Sequence, residues 1–333
     1  MIDLNYINKR AFKKDGTIYT LEELSYPEIK EDGKYLLDAN GNRIGTMGDR
    51  NAKVLMDQIL REGCWDENPR PHYEDGAPAY TLSVNNKCHW TYDISKGESP
   101  LITLRPIAVQ KSIGEILWIY QEQSTDLNLL KEKHGVTWWD EWEVGHTRSI
   151  GTGTYGAIIK AHDLTNFILT EIKEDPDGRR HILDMWQYDD FKKPHGLKPC
   201  AYSVIFNVRH GRDGIDYLDM KLIQRSSDFM VAGCINQMQY LALMLMVARD
   251  CKLVPGEFTW EVANSQIYNR HIPQAIEQLR RTPILDDGKQ PYLELNPEKK
   301  HFYDIEQTDF KVKNYARKLI QEKNPAQTFE KGI

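Results

Sequence analysis

The sequence has little that would staple a protein together, anchor it in a membrane or charge its surface. Its five cysteines (Cys64, Cys88, Cys200, Cys234 and Cys251) are odd in number, scattered, and never form a CxxC pair. That excludes a disulfide framework and a thiolate zinc site of ordinary spacing. No long hydrophobic run occurs: the most apolar stretch, Tyr240 to Ala248, covers about half a membrane span. The N-terminal MIDLNYINKRAFKKDGTIY has no continuous apolar segment and no small-residue cleavage pattern, so no secretory leader is read there. Charge of one sign is lacking too, since 43 Lys and Arg against 49 Asp and Glu leave a net charge of −6. Nonspecific nucleic-acid binding draws on a cationic surface, so this chain is a poor candidate for it. Any anionic ligand must be met by a local cluster of arginines. None of the ten histidines forms an HExxH motif and no EF-hand loop is found, so no metal site is expected. Gly151-Thr-Gly-Thr-Tyr-Gly156 lacks a following Gly-Lys-Ser/Thr and reads as a turn, not a phosphate cradle. The expectation is a cytoplasmic protein with free thiols.

What is present is the material of a sizeable core: 333 residues, 40% hydrophobic, with 8 Trp, 17 Tyr and 9 Phe. Residues 1–49 differ from the rest. Lys14-Asp15-Gly16, Glu31-Asp32-Gly33 and Asn40-Gly41-Asn42 punctuate short stretches with strand character, Thr17 to Leu21 and Lys34 to Leu37. This segment reads as a small N-terminal β appendage of decorative character. From residue 50 onward amphipathic helices alternate with strands. Asn51 to Glu62 is predicted helical and stops at Gly63; Pro106 to Gln121 places Ile113, Ile116, Leu117 and Tyr120 on one face. Gln237 to Asp250 is nearly apolar all round and predicts a buried helix, and His271 to Arg281 a shorter one. Ala201 to Val208 and Ile215 to Ile223 flank His210-Gly211-Arg212-Asp213-Gly214 and predict an antiparallel hairpin. The expected fold class is α/β (α+β): one large domain over 50–333, with a mixed β-sheet covered by long helices, plus the appendage 1–49.

That hairpin has a chemical consequence. Cys200 at the start of one strand and Arg225 at the end of the next are each about ten residues from the turn, so register places them side by side. A lone cysteine is most often a buried hydrophobe, but a guanidinium beside it would favour its thiolate and hold an anion there. Asp177-Gly-Arg-Arg180 offers two further guanidinium forks, ordinarily a solvated surface feature but well shaped for phosphate. Gly135-Val-Thr-Trp-Trp-Asp-Glu-Trp142 crowds three tryptophans into five positions; core packing is the default, and a platform for a flat heterocycle the sharper reading. A Cys–His hydrolase would need a histidine near Cys200, and the sequence offers no clear partner.

Taken together, Trp139-Asp-Glu-Trp142, Asp175-Pro-Asp-Gly-Arg-Arg180, Pro199-Cys200, Gln224-Arg-Ser-Ser-Asp228, Asn236 and Tyr268-Asn-Arg-His271 resemble the folate-dependent thymidylate synthases in order and spacing. Glu115, in Gly-Glu-Ile-Leu-Trp118, falls where that family keeps a glutamate in a similar helix, and Asp304 to Tyr315 is similar to its late segment. The resemblance spans residues 50–333. It implies reductive methylation of dUMP to dTMP, with 5,10-methylenetetrahydrofolate as one-carbon and hydride donor. Cys200 would attack C6 of the pyrimidine, with Glu115, Arg225, Asp228 and Tyr155 completing the catalytic group. Arg70, Arg225, Ser226 and, from the second subunit of a homodimer, Arg179 and Arg180 would hold the phosphate. Asn236 would read the uracil edge, Asp228, Gln266 and Tyr268 would complete the nucleotide site, and Tyr268 would meet the sugar. Glu115, Trp139, Trp142, Asp228 and the terminal Ile333 would line the folate side, the terminus closing over it.

The chain also departs from the family pattern. Ala201 stands where many members carry His, Gln266 where His is usual, and Ala232-Gly-Cys-Ile-Asn236 replaces Gly-x-Pro-Phe-Asn. Arg105-Pro106 stands where basic residues often hold the folate tail. These departures leave open a uracil-type hydroxymethylase of the same superfamily, in which water replaces hydride; a cytosine-directed enzyme would favour Asp at position 236.

Overall fold

A computed structural model describes residues 2–192 and 196–332. In chain order the helices are α1 (Leu4–Ile7), α2 (Met47–Glu62), α3 (Val109–Tyr120), α4 (Leu127–His134), α5 (Tyr155–Ala161), α6 (Leu164–Glu174), α7 (Cys234–Asp250), α8 (Ile272–Arg280) and α9 (Arg317–Lys323). The strands are β1 (Leu36–Leu37), β2 (Arg43–Ile44), β3 (Cys64–Trp65), β4 (Thr81–Asp93), β5 (Ile182–Asp184), β6 (Ala201–His210), β7 (Asp216–Asp228), β8 (Val254–Tyr268), β9 (Tyr292–Leu295) and β10 (Phe310–Lys313). One six-stranded sheet runs β3-β4-β8-β7-β6-β5. It is mixed, as expected: β7 and β8 pair in parallel, joined by α7 as the crossover, and the other neighbours are antiparallel. β9 and β10 form a separate ribbon.

The sheet and α7 make the core. Trp118, Trp260, Tyr92, Tyr240, Phe206 and Phe258 are all essentially inaccessible to solvent. α7 is apolar on nearly every face because neighbours cover it nearly all round, with α3 packed against it. With the turn before it, Phe229–Asp250 is long and apolar enough to cross a membrane, but 78% of its most apolar window is buried inside this fold, as for a core helix. That turn, Phe229–Gly233, is a wide π-type turn opened by Asp228, whose carboxylate accepts from the Val231 N–H. The β6–β7 hairpin forms where predicted. A bulge leaves Tyr202 unpaired between Ala201↔Gln224 and Ser203↔Ile223, next to Cys200.

Several boundaries move, each for a local reason. α2 starts at Met47 instead of Asn51, because Thr46 and Asp49 form a capping box there. α3 starts at Val109, three residues after Pro106, and α8 at Ile272 with a proline in its first turn. Thr17 to Leu21 is not a strand; the only strands in residues 2–49 are β1 and β2, facing each other across Asn40-Gly41-Asn42. Nor is this segment decoration. Ile7, Ala11, Tyr19 and Leu24 are buried in the main core, and the Trp65 indole donates to the Tyr6 carbonyl. Arg280 binds the carbonyls of Glu22, Glu23 and Ser25. Ile7 is 1% exposed, so Ile7→Ala is expected to lower unfolding free energy in urea by about 3 kcal/mol. A loss below about 0.5 kcal/mol, the level of an ordinary surface substitution, would return the segment to decoration.

Candidate active site

Cys200 and Arg225 meet where register placed them: the Arg225 N–H donates to the Cys200 carbonyl at 2.9 Å. The guanidinium is then aimed by three acceptors, the carbonyls of Pro199 (Nε, 3.0 Å) and Lys198 (Nη2, 3.0 Å) and Ser226 Oγ (Nη1, 3.2 Å). Guanidinium has five N–H donors, so two remain uncommitted. Among the described residues neither Arg225 nor the exposed Arg70 has a carboxylate partner. A cationic fork fixed in place and left unneutralised is suited to a bound anion. The Ser226 hydroxyl donates toward Cys200 Sγ at 3.9 Å, and the Cys200 N–H donates to the Tyr155 hydroxyl at 2.9 Å. Tyr155 opens α5, following the Gly151–Thr154 turn; burial raises its phenol well above the ordinary value.

Above this pair is a cavity of about 500 Å³. Its lining combines Arg70, Cys200, Arg225, Ser226, Asp228, Asn236, Gln266 and Tyr268 with Glu115, Trp138, Trp139, Trp142 and Tyr155. The Trp139 ring meets Trp142 and Tyr155 edge to face, with centroids 5.5 and 5.7 Å apart. Glu115 projects from α3 and is 6% exposed; burial pushes its carboxyl up to about 7, against the pull of the Trp138 indole N–H that donates to it. Trp139 stands beside the same carboxyl, but its own buried Nε1 has no hydrogen-bond partner. Asp228 is also raised by burial, opposed chiefly by His271, whose Nδ1 lies 3.9 Å away.

The C-terminal tail forms part of the wall. Lys331 pairs with Glu141 at 3.0 Å, Arg270 with Glu330 at 2.6 Å, and Gly332 lines the cavity. A Cβ on Gly332 would stand 2.8 Å from that of Ala79, so the tail's closeness to the Arg70 loop requires glycine. Ile333 lies outside the described residues. Two expected residues do not join the site. Arg179 and Arg180 are exposed on the connection between α6 and β5, outside the cavity lining, and among the described residues their side chains make no hydrogen bond or ion pair. Within one subunit, therefore, the double arginine is no part of the cavity.

A sequence profile for the family described as thymidylate synthase matches residues 52–325. The chain belongs to the thymidylate synthase family. Similar proteins include the thymidylate synthase of Streptococcus mutans, 44% identical over 264 residues that span 79% of this chain and 92% of that one. The thymidylate synthase of Streptococcus gordonii is 44% identical over 271 residues, 81% of this chain and 95% of its own. The solved structure of thermostable thymidylate synthase A from Bacillus subtilis superposes with a TM-score of 0.75 at 30% identity, over 86% of this chain and 99% of that one. The fold class, the methyltransferase activity and the preference for thymidylate synthesis over hydroxymethylation follow from this membership. So do dUMP and methylenetetrahydrofolate as the family's substrates.

The thymidylate synthase motifs did not reveal every cavity residue. Trp138 reads in sequence as packing or platform like its neighbours, yet it is the donor to Glu115. Gln239, inside an apolar helix, lines the cavity with its amide toward Glu115. An i, i+3 relation between Asn236 and Gln239 was the available signal. Because Glu115 is held near 7 in the folded protein and titrates near 4.5 otherwise, the folded state binds the extra proton between those values. This group therefore lowers stability as pH rises from 4.5 to about 7, by up to roughly 3 kcal/mol. Glu115→Gln stays neutral, so its stability relative to the parent protein is expected to improve between pH 5 and pH 8 in urea unfolding. A difference independent of pH would show that Glu115 titrates ordinarily.

Proposed function

We propose that this cavity performs the family reaction on dUMP through a covalent adduct between Cys200 Sγ and C6 of the pyrimidine. The observation that carries the reading is a partly accessible thiol beside Arg225, a fixed guanidinium without a carboxylate partner, on the floor of a cavity with a tryptophan wall. Arg225, Ser226 and Arg70 hold the phosphate and place C6 over the sulfur. As the S–C6 bond forms, the C5–C6 electron pair moves toward O4, giving an enolate whose oxygen the Asn236 N–H stabilises. Glu115, poised near neutrality, exchanges a proton on the O4 side. Tyr155 keeps the Cys200 peptide in place through its hydroxyl. After C5 has been alkylated, its proton passes to water, the C5–H electron pair re-forms the C5–C6 double bond, and the C6–S pair leaves with sulfur as thiolate.

Methylenetetrahydrofolate, when bound, supplies both the one-carbon unit and the hydride. The cavity lining fits such a flat, hydrogen-bonding heterocycle: aromatic rings from Trp139 and Trp142, the unsatisfied Trp139 N–H, and the Asp228 carboxyl. The tail at Gly332 would shield this side from water, with Ile333 following it. Tyr268 and Gln266 remain for the sugar. In this reading residues 50–333 are the catalytic unit, residues 1–49 brace it, and five free thiols suit a reducing cytoplasm.

Arg179 and Arg180 have a place only in a homodimer, where each subunit would lend them to its partner's phosphate site. Their exposure and lack of partners support this. Incubation with dUMP and methylenetetrahydrofolate is expected to yield dihydrofolate and dTMP in equal amounts. Cys200→Ala should abolish turnover and leave dUMP binding measurable; turnover that survives would remove the sulfur from the mechanism. Mixed Arg179→Ala and Cys200→Ala subunits, each inactive alone, should regain partial activity after exchange. Exchange without recovery would overturn the shared site.

A further inference from the structure

Three carboxamides, Gln224, Asn236 and Gln239, stand in a row behind the base-reading side of the cavity. An amide can usually be turned end for end at little cost, because its oxygen and NH₂ are nearly the same size. Here the row is terminated at both ends. The Trp260 indole is buried and can only donate, and it donates to Gln224 Oε1. Gln224 must then present its NH₂ to Asn236 Oδ1, at 3.1 Å. Asn236 in turn must present its NH₂ to Gln239 Oε1, at 2.8 Å. Gln239, 2% exposed, is left with its NH₂ toward the Glu115 carboxyl. With Glu115 ionised, reversing Gln239 would set its carbonyl against that acceptor. Ala201, beside them in the cavity wall, contributes only a methyl group, so it offers no side-chain hydrogen bond to compete for the row.

After these bonds Asn236 keeps one N–H and one lone pair. Uracil presents a carbonyl at C4 and an N–H at N3, the complement of that arrangement. Cytosine presents an amino group and a bare nitrogen, the complement of the same amide reversed. We propose that Gln239 is a positioning residue that holds Asn236 in the uracil-reading orientation and so selects uracil over cytosine nucleotides. A reversed Asn236 would face Gln224 donor to donor and Gln239 acceptor to acceptor. Both amides, one at each side, oppose the flip. This proposal rests on the dUMP reading of the cavity.

The test compares dUMP and dCMP binding to the full-length protein by calorimetry, with thermal unfolding in parallel. Gln239→Met keeps length and bulk but removes the acceptor. It is expected to narrow the dUMP-to-dCMP affinity ratio by on the order of tenfold, the effect of one hydrogen bond. Gln239→Glu restores an acceptor facing Asn236 and should restore the ratio, whatever it does to turnover beside Glu115. If the methionine variant does not fold, Gln239→Ala carries the same comparison. An unchanged ratio, or equal weakening of both nucleotides alongside a lower melting temperature, overturns the proposal and leaves only a packing role. If the unmodified protein does not bind dUMP, it is the dUMP reading of the cavity that fails.

Discussion

Everything at the centre of this molecule depends on one arginine that, among the described residues, is hydrogen-bonded by neutral groups and neutralised by no carboxylate. Arg225 is clamped by two carbonyls and a hydroxyl, which fix its direction without cancelling its charge. A carboxylate in the same position would have made a stable ion pair and a dead cavity. Instead the positive charge stays open toward the cavity that it lines. The hairpin is the means of holding it: Cys200 and Arg225 belong to adjacent strands, so a backbone hydrogen bond sets their separation. The bulge at Tyr202 lets the chain turn from that pairing into the cavity wall.

Around that fixed centre the more adaptable parts are tied to one another. Arg270 pairs with Asp75 in the Arg70 loop and with Glu330 in the tail, and its guanidinium lies 4.0 Å from the Tyr73 ring centroid. Asn269, next to Tyr268, accepts from the Tyr73 hydroxyl and donates to the Arg10 carbonyl. The N-terminal segment, the loop and the tail therefore converge on one short turn after β8. The profile match begins at residue 52, so the segment that reaches this turn from the N-terminal side lies ahead of the shared family region.

Much of the centre was legible in the sequence, and the reason is geometric. Counting from a hairpin turn locates Cys200 opposite Arg225 without any knowledge of the rest, and a nearly uniform apolar stretch identifies α7. What escaped was carried by residues whose type signals nothing. Ile7 and Ala11 are four apart, but the helix there is only four residues long and Leu24 belongs to no element, so their burial emerges only from tertiary packing. Trp138 has one polar side-chain atom and Gln239 two, and what matters is where those atoms point. Arg179 and Arg180 stood out in sequence but lie away from the cavity, because a motif records residue types and not where the fold carries them.

The wide turn at Phe229–Gly233 has a further effect on the helix it precedes. Five residues in one turn are more than an α-helix needs, and each surplus residue rotates all that follows by about 100° around the axis. Asn236 and Gln239 look into the cavity because of that added rotation. Remove the surplus and the same side chains would revolve into the hydrocarbon interior, while apolar neighbours swung out to meet the ligand. Length, at this one place in the chain, is as binding a requirement as chemistry.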